Sequence, residues 1–309
     1  MTSNVTSNVT SNVTSNATPL IKRLDLCADD FGSSNAVDGG ILRLAAAQRL
    51  TAVSCIVNLP HWPGALQDLA ALPAVLAGRV QLGLHFNLTE GRPLSAALRR
   101  HWPQLPTLKR LLLLAHLRRL PLPALREELR AQLACFEAAR GAGLAHLDGH
   151  QHVIHLPGLR ELVLAEVALR PALRVRHTGR VLGPGFALKR QLIASTGGRA
   201  LGRSLVARSV AANTALLGVY DFVQTDYRTL MQRWLAAAPL QGGLLFCHPG
   251  EAVSIDSTDN DTADPIAAAR VRELAYLSGP DFADDLLSAG VVLAEPGHQV
   301  AKAQRRLTA

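Results

Sequence analysis

The sequence predicts an α/β fold: a (β/α) barrel that carries a metal site at the C-terminal ends of its strands. Three observations point there. Short apolar strand patterns alternate with helical ones along nearly the whole chain, which calls for a parallel sheet joined by helical crossovers. Residues able to carry chemistry recur where those strands end, at Asp29-Asp30, His85, His150 and His248. In (β/α) barrels the loops after the strands converge on one rim, so residues distant in sequence meet there.

Taken in order, residues 1–20 are a TSNV repeat too polar to bury a core, and are expected to be a disordered tail. Residues 24–30 (LDLCADD) read as a strand closed by two carboxylates. Phe31-Gly32-Ser33-Ser34-Asn35 supplies turn and N-cap chemistry, and Val37, Ile41, Leu44 and Ala45 then repeat as one helix face. A strand over 51–58 and a helix over 65–76 follow. Residues 79–88 show the cleanest alternation in the chain, with Gln81, Gly83, His85 and Asn87 on the polar side. Prolines break up 92–125, an excursion expected to be either a lid or a surface insertion with two short helices. After a helix over 125–140 comes LAHLDGHQHVIHLP at 144–157, then a helix over 157–168 and a strand over 173–176. Residues 179–209 give no clear type. A strand over 219–224, a helix over 230–238, a buried strand over 244–249 and an acidic loop over 256–264 come next. Helices over 265–277 and 281–288 and a strand over 291–294 complete a single domain spanning 21–300, with a solvated tail over 301–309.

Composition narrows the function classes. At 48% hydrophobic and 4% aromatic, the 309 residues can build a core from Leu, Ala and Val. No apolar run approaches the roughly 18 residues of a membrane span, so no membrane partner is expected. The net charge of +8 is spread through the chain without a finger, helix-turn-helix or aromatic-interleaved platform, so no nucleic-acid partner is expected either. The four cysteines share no CxxC spacing and suggest no disulfide framework, which fits a reducing cytoplasm.

Neighbours on an extended backbone point to opposite sides, so Asp29 and Asp30 are expected to divide the labour, one holding a cation and the other handling a proton. The competing reading is that both carboxylates merely favour a helix N-terminus. Four histidines and an aspartate crowd into ten residues around His150 and His152, which on an extended segment would share a face. Both could approach one ion, or one could ligate while the other orients it. Arg176, emerging at a strand end, suits a carboxylate or a sugar hydroxyl, with a salt bridge as the alternative, and Asn87 and His152 join it as candidate substrate contacts. A carboxylate with two imidazoles suits Zn²⁺, Mn²⁺, Fe²⁺, Co²⁺ or Ni²⁺.

At these residues the sequence resembles the YdjC-like carbohydrate deacetylases. The resemblance rests on ADDFG at 28–32, GLHFNLTEGRPLS at 83–95, HLDGHQHVIHLP at 146–157 and FCHPG at 246–250. It implies a distorted (β/α) barrel that removes an acetyl group from an N-acetylated sugar or oligosaccharide with one divalent metal ion, magnesium or zinc. Carried over, Asp30, His85 and His150 would hold the metal, Asp29 would be the base and His248 the acid. A homodimer is also implied. Asp38 departs from the family's common Asn, and residues 179–209 match nothing in it. Two other readings stand beside this one. HQH at 150–152 also resembles a metal-dependent phosphoesterase, and the barrel could bind a sugar or metal without catalysis.

Overall fold

The computed structural model describes residues 21–140, 143–252 and 264–295. The expected tails at 1–20 and 301–309 and nearly all of the acidic loop at 256–264 lie outside them. Among the described residues, eight strands pair in parallel: β1 (Lys22–Phe31), β2 (Ala52–Cys55), β3 (Gln81–Phe86), β4 (His146–Gly149), β5 (Arg174–Val175), β6 (Ala215–Leu217), β7 (Gly243–Cys247) and β8 (Val291–Leu293). Their order is β5-β4-β3-β2-β1-β7-β6, and β8 pairs with β1. β8 takes the same edge of β1 that β2 occupies further along, because Lys22 N donates to Gly290 O while Thr51 N donates to Leu26 O. The outer ends of the sheet curl back on each other, with Val175 bridging Ala212 and Val181 bridging Leu216. Isolated bridges replace a ladder at that seam, and the result is a distorted (β/α) barrel.

β1 lies inside this order, paired with β2, β7 and β8, and from Leu24 onward every residue of it is buried. That is the pattern of a parallel strand covered on both faces, where apolar runs replace alternation. The helix Asn35–Ala46 leaves β1 as expected: Ser34 Oγ accepts from Val37 N, and Val37, Ile41, Leu44 and Ala45 face the core.

Several boundaries differ from the sequence reading. The helix expected over 65–76 is two, Trp62–Ala71 and Pro73–Leu76, because Pro73 has no N–H to continue the first. The strand expected over 219–224 lies just before, at β6. It stops at Gly218, whose φ of 107° and whose closeness to Phe246 O (2.3 Å from a Cβ placed there) admit no side chain. Tyr220 and Phe222 instead form an aromatic wall. β7 ends at Cys247, so His248 opens the following loop. The excursion at 92–125 carries two short helices, Ala96–His101 and Leu108–His116. The untyped stretch is helical: Ala187–Ile193, a π turn over Ala194–Gly198, and Arg199–Ala207.

Candidate active site

β1 delivers both of its terminal carboxylates to one cavity by departing from regular strand geometry. Asp30 sits at φ 73°, and the β1–β2 register slips between Ala28 and Phe31. A bulge re-aims a side chain in this way. Asp29 and Asp30 consequently both line a cavity of about 370 Å³ at the C-terminal end of the sheet, together with His85, His150, His152 and His248. Their partners differ. Asp30 Oδ1 lies 2.9 Å from His150 Nδ1 and 3.4 Å from His85 Nε2, while Arg270 Nη2 donates to its Oδ2 at 2.8 Å. Asp29 receives two hydrogen bonds from Arg176, at 2.6 and 2.7 Å. Burial alone would favour a neutral Asp30, yet the Arg270 guanidinium and His150 hold its carboxyl well below the usual range.

His85 is aimed by the sheet itself. In the parallel register of β3 and β4 its Cα partner is Asp148, and its Nδ1 meets Asp148 Oδ1 at 2.6 Å, leaving Nε2 towards Asp30. Burial works against a charged ring here, but the Asp148 and Asp29 carboxylates raise it to about 10. His150 follows the same pattern: burial opposes its charge, and Asp30 outweighs it, raising the ring to about 9. Its Nε2 lies 3.0 Å from Glu90 Oε1.

Asp30, His85 and His150 present donor atoms that all lie within 4.8 Å of one another, and all three residues are buried. Oxygen and nitrogen donors 3 to 3.5 Å apart match ligands that share one ion at bonds of about 2.0–2.2 Å. A ligand imidazole whose second nitrogen is fixed by a carboxylate, as His85 is by Asp148, is the usual outer arrangement of such sites. The donor set fits a divalent cation.

The remaining sequence candidates fall in three places. His248 lines the cavity between the edges of Phe222 and Phe246, and its backbone N donates to Glu273 Oε2 at 2.6 Å. Burial lowers its ring to about 4. His152 also lines the cavity, but not by sharing an extended face with His150. Residues 150–155 form a 3₁₀ turn in which Gln151 and His152 take left-handed φ values of 52° and 62°. His152 Nδ1 is buried without a partner. Arg176 and Asn87 do not line the cavity. Arg176 sits behind Asp29, because burial with Asp29 and Asp148 makes an ion pair its way of staying charged. Asn87 is wholly buried and organises the turn that follows β3: its Oδ1 accepts from Thr89 N and Glu90 N, and its Nδ2 donates to Asn58 Oδ1 and Glu90 O.

Four residues escaped the sequence reading: Glu90, Asp148, Arg270 and Glu273. Asp148 had a signal, since it shares a strand face with His146 inside the His-rich motif. Arg270 and Glu273 had none, because both come from the distant helix Ala267–Ser278, Arg270 to line the cavity and Glu273 to accept from His248 N behind it.

Beneath this layer lies a second polar cluster. Ser54 Oγ donates to Asp148 Oδ2 at 2.7 Å and lies 2.9 Å from His146 Nε2 and 3.2 Å from Cys27 Sγ. Gly83 makes room for it, since a Cβ there would fall 2.3 Å from the His146 ring. Cys27, His146 and Asp148 also have ligand-like spacing, but the space beside them is about 20 Å³, roughly one water.

Fold and site together define an α/β-barrel protein with a buried carboxylate–imidazole cluster on its C-terminal rim, open to a ligand-sized cavity. Within that class the chain belongs to the YdjC-like protein family, whose family model matches residues 23–288. The carbohydrate deacetylase of Homo sapiens is 41% identical over 145 residues, covering 44% of this chain and 42% of that protein. The chitooligosaccharide deacetylase of Proteus mirabilis is 33% identical over 178 residues, covering 55% of this chain and 64% of that protein. The chain thus matches about half the length of these relatives. A solved structure from Enterococcus faecalis V583, described as a cellobiose-phosphate cleavage protein, aligns with a TM-score of 0.64 over 89% of this chain and 97% of that one. At 20% identity it speaks for the fold alone.

Proposed function

We propose that this chain is a carbohydrate N-deacetylase that hydrolyses the acetamide of an N-acetylated sugar. The observation that carries the reading is a three-donor cluster, Asp30, His85 and His150, with a second carboxylate, Asp29, beside it on the wall of the same cavity. A cation-binding module needs the first feature but not the second. The likeness to carbohydrate and chitooligosaccharide deacetylases supplies the substrate class.

Asp30, His85 and His150 would hold one divalent cation. When bound there, such an ion polarises an amide carbonyl and lowers the pKa of water towards about 7. Asp29 accepts the proton from the attacking water. Arg176 takes one lone pair of each Asp29 oxygen and keeps the carboxylate fixed, and the remaining lone pairs are left for that proton. His248 stands in the cavity to pass a proton to the departing amine. Burial keeps its ring neutral near pH 7, so the proton it delivers is the one Asp29 has taken from the water, passed on during the reaction. His152 Nδ1, buried and unpartnered, is placed to hydrogen-bond the sugar or its acetamide, and Phe222 and Phe246 offer apolar surface to a pyranose face.

The test is acetate release from N-acetylglucosamine oligomers with added divalent metal, comparing the wild type with Asp29→Asn. The variant should keep its metal and lose roughly 10²–10⁴-fold in turnover, the usual contribution of a general base. Equal acetate release by both proteins would remove Asp29 from the role.

A further inference from the structure

The positive charge is less evenly spread than the reading of the sequence had it. Residues 91–126 and 167–220 hold 17 of its 32 Lys and Arg and none of its 24 Asp and Glu. The rest of the chain, with 15 basic against 24 acidic residues, is net negative. Three of the seventeen, Arg170, Arg174 and Arg176, are held in ion pairs with carboxylates from elsewhere. The other fourteen form no salt bridge among the described residues, and all but one of them are exposed, Arg110, Arg118, Arg199 and Arg203 among them.

The same two segments carry exposed apolar side chains. Seven of the thirteen large hydrophobic residues exposed among the described ones fall in them, including Leu113 at 60%, Leu188 at 83% and Val206 at 81%. In and just after the helix Leu108–His116, Arg110, Leu113 and Leu117 follow i, i+3, i+7 and so share a face. Both segments also reach the cavity: Leu108 lines it from one, and Lys189, Leu192 and Ile193 line it from the other. The basic, leucine-bearing surface therefore adjoins the active-site mouth.

We propose that these two segments dock the barrel rim on a membrane surface rich in anionic phospholipid, with the cavity mouth beside the headgroup layer. Charge complementarity selects the partner, since clustered Lys and Arg without carboxylates are drawn to anionic headgroups. The leucines distinguish a bilayer from a soluble polyanion. Exposed apolar side chains beside basic ones gain by entering the headgroup–acyl boundary, whereas a nucleic acid or glycan chain would leave them in water. This contact is peripheral and is compatible with the absence, among the described residues, of any helix able to cross a membrane.

The experiment is co-sedimentation of the full chain with phosphatidylcholine vesicles, with and without phosphatidylglycerol. The chain should pellet with the anionic vesicles only and be released by added salt. The pair Arg110→Glu and Arg118→Glu should weaken binding about tenfold or more, as expected for charge reversal near an anionic surface. The pair Leu113→Ser and Leu188→Ser should weaken it at unchanged charge, with both variants checked for a wild-type thermal melt. Failure to pellet with anionic vesicles, or equal pelleting with phosphatidylcholine alone, overturns the proposal. So does anionic binding that the leucine pair leaves untouched and that soluble heparin abolishes, which would make the surface a polyanion site.

Discussion

Two layers of the barrel interior hold nearly the same residue types and do opposite things with them. The upper layer sets Asp30 among His85 and His150, and the lower layer sets Asp148 with His146, Ser54 and Cys27. Both pass a purely geometric test for a metal site. They differ in access and in charge balance. The upper donors open on a cavity of about 370 Å³, whereas the lower ones adjoin space for roughly one water. In the lower layer Arg176 already neutralises Asp148, and Ser54 and His85 take further lone pairs of the same carboxylate. A cation entering there would have to displace a guanidinium from a buried anion, which is strongly unfavourable. The lesson is that donor spacing nominates a site, while the partners already satisfying the donors decide whether it can be used. The lower layer is a scaffold, and its business is to hold His85.

The sharpest way to break this comparison is to remove one polar side chain from each layer. Asp30→Asn should lose its bound divalent metal and roughly a thousandfold or more of its acetate release, since the charge stabilisation a cation supplies is worth several kcal/mol. Ser54→Ala, in the lower layer, should keep a full equivalent of metal by elemental analysis. If Ser54→Ala emptied the site while Asp30→Asn kept it, the assignment of the two layers would be inverted.

A smaller effect probes the joint between them. Asp148→Asn removes the charge that fixes His85 Nδ1, and outer partners of ligand histidines typically contribute about 10–100-fold in metal affinity. Titration with a chelator should therefore show weakened but measurable binding, with turnover restored at high metal concentration. Unchanged affinity would mean that the sheet register alone orients His85.

Much of this was legible in the sequence, for identifiable reasons. Strand ends show up through period-two patterns and turn residues, so Asp29-Asp30, His85, His150 and His248 could be placed on one rim before any coordinates. What failed were features set by tertiary contact. The left-handed Asp30 that brings two neighbouring carboxylates to one cavity depends on a register slip against β2, which no local pattern encodes. The turn at Gln151 and His152 replaced an extended segment that alternation had suggested. Arg176 was open to two readings, a ligand-facing cation or a salt bridge, and it pairs with buried Asp29; its strand position could not choose between them because it did not reveal how deep the barrel would enclose it. Arg270 and Glu273 reach the site from a helix whose sequence, read alone, is merely amphipathic.

The finest distinction between the layers is their response to acid, and His146 reports it. Ser54 Oγ gives its hydrogen to Asp148, so it accepts from His146 Nε2–H, and the ring is held neutral in a tight space. Burial is the main cause lowering its pKa from 6.5 to about 4, opposed by Asp148 and aided by Arg176 and Arg174. The folded value lies below the unfolded one, so between about pH 6.5 and pH 4 the unfolded chain takes up a proton that the folded chain refuses. The stability His146 contributes is complete above about 6.5 and is lost as pH falls towards 4. His146→Gln keeps an amide donor for Ser54 but cannot take up that proton. Thermal melts of wild type and variant should therefore converge on going from pH 7 to pH 5, the wild type losing on the order of 1–2 kcal/mol more than the variant. Parallel curves across that range would show that the His146 ring is not held neutral by its enclosure, and the lower layer would then lose its standing as a dry scaffold.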